Sequence, residues 1–389
     1  MRIAQVAPLV ESVPPRLYGG TERVIATLVT ELTAMGHDVT LYASADSQPG
    51  AGRLIPMAEQ ALWAYEMAPN DAAYHTVELA RVLRDACEYD VIHSHLDFMG
   101  FPAGRFSPTP FVHTLHGRLD CPESTPLFNE FSDAPVISIS NSQRRPQPRA
   151  NWLATVYNGI AVDPIPVGNG NGGYLAFLGR MSPEKGVADA IDIANRAGMP
   201  LKIAARMPLE SIDNDWVRAD WTYYHEVVKP RLQASPLVEF VGEVNDAEKY
   251  DLLRDAVGLL FPINWPEPFG LVMIEALACG TPVLARAMAS ATEVIQHGRT
   301  GYLCHSVDEM TTYCDKLIQI DRQNCRQDAE ERFSARAMAT GYLKAYEKVL
   351  ARAGGLGGSL PDPRVGRDLA GLLEATVPMS APFPLGPAA

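Results

Sequence analysis

Apolar positions along this chain alternate between two rhythms. Short runs of mostly apolar, often β-branched residues read as strands: RIAQVAP from Arg2, HDVTLYAS from His37, YDVIHSH from Tyr89, PFVHTLHG over 110 to 117, and VISIS from Val136. Between the first two lies TERVIATLVTELTAMG, where Val24, Ile25, Leu28, Val29 and Leu32 recur at spacings of three and four. That is one apolar face of a helix, with Thr21 as the expected N-cap and Gly36 as the glycine past its end. Residues 57 to 88 also read as helical. The order strand, glycine loop (Gly19, Gly20), helix, strand is the opening of a Rossmann-like domain.

Residues 155 to 173, TVYNGIAVDPIPVGNGNGG, interrupt both rhythms with glycine, asparagine and proline and read as a linker or surface loop. Then the pattern restarts: YLAFLGR, a helix carrying Ala188, Ile191, Ile193 and Ala194, PLKIAARM, and LVEFVGEVNDAEKYDLLRDAVGLLFPINW as strand, helix, strand. Helices are expected over 308 to 322 and 334 to 352. From Gly354 to Ala389 glycine, proline and alanine dominate and a flexible tail is expected, with one short helix over Arg367 to Ala375. The expectation is an α/β protein with domains at 1–160 and 168–333, a terminal helix over 334–352 and a tail from 354 to 389.

Composition narrows the partners. The 389 residues carry a net charge of −13. Such an excess argues against nucleic acid, which calls for a basic face, and gives no support for docking on an anionic membrane. The first lysine is Lys185, and the first half's basic residues are scattered arginines apart from Arg144, Arg145 and Arg149. No apolar run approaches the ~18 residues that span a bilayer, and the chain opens directly into a strand, so a cytoplasmic protein is expected. The six cysteines include no CxxC pair and match no zinc spacing, so neither structural disulfides nor a metal site is expected.

The chemistry concentrates in PEPFGLVMIEALACGTPVL, Pro266 to Leu284. Pro268 suits a first helical turn, Phe269 to Ala278 reads as helix, Gly280 and Pro282 as its stop, and Thr281 to Ala285 as a buried strand. Glu267 and Glu275 lie eight residues apart, which on a continuous helix is ~12 Å of rise on roughly one side. Between them the helix start offers free N–H groups to an anion, and Gly270 allows close approach. Hydroxyls held at both ends and a diphosphate in the middle would need this layout. Gly19 and Gly20 can present backbone N–H groups to a phosphate or sugar in the same way, although GxGxxG is missing and the dinucleotide fingerprint fails. His116 sits at the carboxyl end of a parallel strand, where such sheets bind ligands.

The central stretch resembles the signature of the retaining family-4 glycosyltransferases, enzymes of the GT-B fold. YGGTERV, the histidine motif ending in His116-Gly117, VYNGI and GRMSPEKG are similar to further motifs of that family, over residues 1 to 352. The resemblance implies two Rossmann-like domains facing each other across a cleft, with the terminal helix crossing back to the first. It implies that Glu267 meets the donor sugar's hydroxyls, Glu275 the ribose hydroxyls, and the backbone near Phe269, Gly270, Leu271 and Val272 the phosphates. Gly19 and Gly20 would contact the donor and His116 the transferred sugar near the reacting carbon. Arg180 and Lys185 would stabilise charge on the departing nucleoside diphosphate without a metal or other cofactor. The implied reaction is transfer of a hexose, UDP-glucose as first guess, with retention, to an unidentified acceptor: a glycan, a lipid-linked sugar or a small molecule. In the resemblance the donor's own phosphate oxygen deprotonates the acceptor.

The sequence departs from the family pattern at Ala205-Arg206, where a glycine usually ends the strand, and at Ala289–Thr292, where a GG-x-PE or GS-x-PE usually stands. These changes put nucleobase contact and donor-sugar selection in question. Arg144 and Arg145 are solvated charges or a greeting for an anionic acceptor; His93, His95 and His113 line the acceptor side or are plain strand residues. Asp213 and Asp215 form a DxD remote from any phosphate motif and read as loop. Rival readings are a sugar-nucleotide epimerase on the same fold, a phosphorylase, which would need a pyridoxal lysine, an NAD-dependent oxidoreductase, which would need GxGxxG, and an inactive binding module.

Overall fold

The computed structural model describes residues 1–17, 19–64, 71–208 and 215–355. The tail expected from Gly354 onward lies almost wholly outside the described residues, as does Asp213 of the DxD.

The first sheet has seven parallel strands: β1 (Arg2–Val6), β2 (Asp38–Ser44), β3 (Arg53–Ala58), β4 (Val91–Ser94), β5 (Phe111–Leu115), β6 (Val136–Ser138) and β7 (Trp152–Thr155). Their order is β3-β2-β1-β4-β5-β6-β7, so the winding reverses between β1 and β4. The second sheet holds β8 (Leu175–Arg180), β9 (Leu201–Arg206), β10 (Val238–Gly242), β11 (Gly258–Phe261), β12 (Val283–Arg286) and β13 (Gly301–Cys304). Its order, β10-β9-β8-β11-β12-β13, reverses between β8 and β11. In open parallel sheets ligands bind beyond the carboxyl ends of the strands at such reversals.

The helix Gly20–Ala34 buries Val24, Ile25, Leu28, Val29 and Leu32 against this first sheet, the face its spacing marked. Its cap is Gly19, not Thr21, and no side chain caps it. The terminal helix, Ala335–Gly355, shares that core through Met338, Ala339, Tyr342, Ala345, Tyr346 and Val349. It therefore belongs structurally to the first domain although it follows the second in sequence. Two connections join the halves, and they run side by side. Ile160 N–H donates to the Phe333 carbonyl at 2.9 Å, and Ala335 N–H to the Ile160 carbonyl at 2.8 Å. A side chain at Gly159 would sit 2.5 Å from the Ser334 carbonyl oxygen, so only glycine fits there.

Several expectations need correcting. Residues 57 to 88 are not one helix: β3 ends at Ala58, and the helix proper is Asp71–Arg84. β3 carries Pro56 and occupies the sheet edge, where a missing N–H costs no ladder bond. A strand not expected from the pattern, β7, pairs beyond VISIS through Trp152, Ala154 and Thr155. The stretch 308 to 322 breaks after Tyr313, and a separate helix, Arg322–Phe333, follows behind an Asp321 cap. The linker 155 to 173 is no solvated coil, since Ile160, Val162 and Ile165 are buried in the second core. All six cysteines are free thiols.

Candidate active site

A cleft of about 740 Å³ lies between the carboxyl ends of the two sheets. From the first domain it is lined by the loop after β1, the Gly19-Gly20 turn, and His116 past the end of β5. From the second it is lined by Gly179 near the end of β8 and Lys185 beyond it, Ala205 and Arg206 at the end of β9, and Trp265 and Glu267 to Val272 after β11.

The central helix is shorter than its sequence suggests. It runs Leu271–Ala278, and Gly270 ahead of it holds φ +80. A Cβ there would lie 2.9 Å from both Met273 Cε and Phe261 Cζ, so glycine is required twice over. Pro268 and Phe269 thus belong to the entering loop. The Glu267–Glu275 separation is half loop and half helix, and the continuous-helix figure of ~12 Å does not apply. The N–H groups of Leu271 and Val272 precede the first intrahelical bond and line the cleft. The far end closes as anticipated: Gly280 takes φ +73, its N–H meets the Leu277 carbonyl at 2.9 Å, and Thr281 N–H meets Ala276 at 2.8 Å.

Both carboxylates are buried and each is paired. Glu267 Oε2 lies 2.5 Å from Lys185 Nζ and accepts from the Trp265 indole N–H at 2.7 Å. The Lys185 ammonium also stands over the Trp265 ring at 4.7 Å. Glu275 Oε1 accepts from Lys249 Nζ at 2.6 Å, and Lys249 reaches Asp246 at 2.9 Å. Asp246 in turn binds Arg23 of the first domain. Two ionic clusters therefore flank the helix tip, Lys185 with Glu267 on one side and Lys249 with Glu275 on the other.

Of the residues expected from sequence, Gly19, Gly20, His116, Lys185, Glu267, Phe269, Gly270, Leu271, Val272 and Glu275 line this one cleft. A Cβ on Gly20 would lie 3.4 Å from Leu271 Cδ1, so the glycine turn of one domain abuts the helix tip of the other. Arg180 is absent from the lining; its guanidinium is tied to Glu184 and, at 3.7 Å, to Asp220. Arg144 and Arg145 also stand off the cleft, Arg144 stacking over Trp152 at 5.1 Å. His93 and His113 are core residues and do not line it. His116 is held neutral, its pKa pushed down to about 4 by burial.

The lining includes groups that carry no motif. Lys249 pairs with a glutamate on another helix, and Arg206 places its guanidinium 4.6 Å from the ring centre of Trp63 across the cleft. Arg118 approaches the Trp265 ring from the first domain at 5.5 Å. Glu22 is a buried carboxyl on the cleft, pushed up to about 7 by burial, with Glu11 nearby adding to the rise. The altered loop keeps a glycine-like backbone: Ala289 has φ +48, and Ser290 Oγ donates to the Phe269 carbonyl at 2.9 Å.

Two reversed parallel sheets with a cation-bearing cleft between them define a two-domain protein of the GT-B architecture. The same fold appears in Anabaena HepE, solved in complex with UDP-glucose, at TM-score 0.64 and 20% identity over 91% of this chain and 100% of that one. Residues 18–161 match the model described as Glycosyltransferase Family 4, and residues 165–337 the model described as Glycosyl transferases group 1. The chain belongs to the family-4 glycosyltransferases. Among curated relatives, the glycogen synthase of Mycobacterium tuberculosis is 26% identical over 85% of this chain and 92% of its own length. The phosphatidyl-myo-inositol mannosyltransferase of Mycobacterium leprae is 27% identical over 90% of this chain and 97% of its own. No helix among the described residues is long and apolar enough to cross a membrane.

Proposed function

We propose that this glycosyltransferase moves a hexose from a nucleotide diphosphate sugar to an acceptor hydroxyl with retention at the anomeric carbon, and that UDP-glucose is a donor. The observation that carries the reading is the row Lys185, Glu267, helix tip, Glu275, Lys249 along one wall of the cleft. The N–H groups of Leu271 and Val272 and the Lys185 ammonium would meet the pyrophosphate and stabilise the charge that grows on the leaving nucleotide. Glu267 would bind hydroxyls of the sugar and Glu275 those of the ribose. Arg180 joins them by turning its guanidinium from Glu184 and Asp220 toward the diphosphate. Anabaena HepE, a neighbour in fold, supports UDP-glucose as the first donor to test.

With retention taken from the family resemblance, the lack of a good carboxylate nucleophile among the described residues on the first domain's side favours front-face transfer over a covalent glycosyl-enzyme. Glu22 and Glu11 lie on the cleft, but burial lifts both above the ordinary carboxylate range, and Glu22 is half protonated at about pH 7. The donor's own phosphate oxygen would take the acceptor proton on the face the nucleotide leaves. The test is release of nucleoside diphosphate from a panel of UDP-, GDP- and ADP-sugars, with and without acceptor extract, with the product anomer read by NMR. Acceptor-dependent release and an axial-retained product are expected. Release of free or rearranged sugar without acceptor favours an epimerase; no release from any donor sinks the proposal.

A further inference from the structure

A line of buried polar side chains leads from the terminal helix to the cleft, and the transfer chemistry above makes no use of it. Thr114 Oγ1 donates to Tyr342 OH at 3.2 Å, so its oxygen accepts from His93 Nε2–H at 2.7 Å. With that proton on Nε2, His93 Nδ1 accepts from Tyr346 O–H at 2.8 Å. The Tyr346 oxygen then accepts from Gln5 Nε2–H at 3.0 Å, and Gln5 Oε1 accepts from His95 Nε2–H at 2.8 Å. His95 Nδ1 is left to accept from His116 Nε2–H at 2.9 Å. Each hydroxyl has one proton and each neutral imidazole one N–H, so one polarity runs through the whole line.

The line is isolated from water. Gln5, His93, Thr114, Tyr342 and Tyr346 are fully buried and His95 is 1% exposed. Burial holds His93 and His95 well below the usual imidazole range, so both stay neutral and cannot donate from both nitrogens. His116 is the first member to reach the cleft.

We propose that Gln5, His95 and Tyr346 are positioning residues that fix His116 as the Nε2–H tautomer, so that Nδ1 faces the cleft as an acceptor for a hydroxyl of the transferred sugar. A lone pair there selects a donor O–H and repels a phosphate oxygen, which separates the sugar end of the cleft from the diphosphate end. The inference rests on the cleft being the transfer site, but its central test does not depend on activity.

The test uses the full-length protein labelled with 15N-histidine and long-range proton–nitrogen correlation spectra. Wild-type His116 is expected to show a pyrrole-type Nε2 and a pyridine-type Nδ1. Tyr346→Phe and Gln5→Leu act two or more residues away and are expected to give averaged tautomers at His116. Each is expected to lower kcat/KM by about three- to tenfold, the worth of one neutral hydrogen bond. Val349→Ala, in the same helix and core but outside the line, is expected to lower stability and leave the His116 nitrogens unchanged. A wild-type proton on Nδ1, or a folded Tyr346→Phe with wild-type His116 shifts, overturns the proposal. Failure to transfer from any donor would sink the transferase reading and leave the tautomer result standing.

Discussion

Lys185→Ala tests the centre of the proposed site, because two effects with different readouts are removed together. Lys185 Nζ and Glu267 Oε2 are 2.5 Å apart, with side chains only 16% and 11% exposed. Two unit charges ~4 Å apart at an effective dielectric near 20 attract by ~4 kcal/mol before desolvation. Deleting one partner of a buried pair costs ~3–5 kcal/mol, and the residual exposure here favours the lower end. The second effect is on the leaving group: a fixed donor aimed at developing charge is worth ~10²–10³ in kcat. Lys185→Ala should therefore melt several degrees lower, bind UDP more weakly in calorimetry, and lose about a hundredfold in turnover. Glu267→Gln separates the contributions, because its proposed contact is with the sugar; it should weaken UDP-glucose and spare UDP. The double variant should regain stability over Lys185→Ala, having no stranded buried charge. If Lys185→Ala binds UDP like wild type and turns over within about threefold, less than ~1 kcal/mol of barrier, Lys185 is only a counter-ion and the site assignment fails.

Two further outcomes can be checked directly. Glu275→Ala should lower kcat/KM for the donor more than ~10-fold, mainly through KM if it binds ribose hydroxyls in ground and transition state alike; steady-state nucleotide release measures it, and wild-type constants would refute the role. Glu22→Gln should stabilise the protein at neutral pH. The folded pKa of Glu22 stands near 7 against 4.5 for the free group, so the folded state binds the extra proton and stability from this group falls as pH rises from 4.5 to 7. Denaturant titrations at pH 5 and 7.5 should show the variant's advantage growing with pH; an advantage that shrinks would contradict the sign.

Much of the site was legible because its motifs are contiguous. Lys185, Glu267 and the Gly270 helix tip each sit on a strand-to-helix connection, and parallel winding delivers every such connection to the same edge of a sheet. The helix Gly20–Ala34 was legible because its whole stripe of five apolar residues is buried. What stayed hidden is tertiary in origin. Lys249 sits on a largely polar helix and gains meaning only when Asp246–Asp255 is laid beside Glu275. Trp63 and Arg206 meet across two domains. The helix Arg322–Phe333 shows only a thin apolar stripe, Cys325, Ala329 and Phe333, in an otherwise polar sequence, and polar contacts add to its hold, as when Arg322 donates to the carbonyls of Gly168, Ala256 and Arg254 at 2.9, 3.1 and 2.9 Å. Phe269 counted as helical because apolar composition says nothing of the left-handed turn that Gly270 imposes one residue later.

The paired bonds between Ile160 and the Phe333–Ala335 segment bear on how the cleft opens. Two tethers anchored far apart would let the lobes shear or splay in any direction. Stitched into one seam, they act as a single pivot, so opening becomes rotation about one line and the two rims of the cleft return to the same alignment at each closure. Severing either tether alone would leave the other to hold the lobes in register, whereas a bulky residue at Gly159 would spread the seam and loosen both.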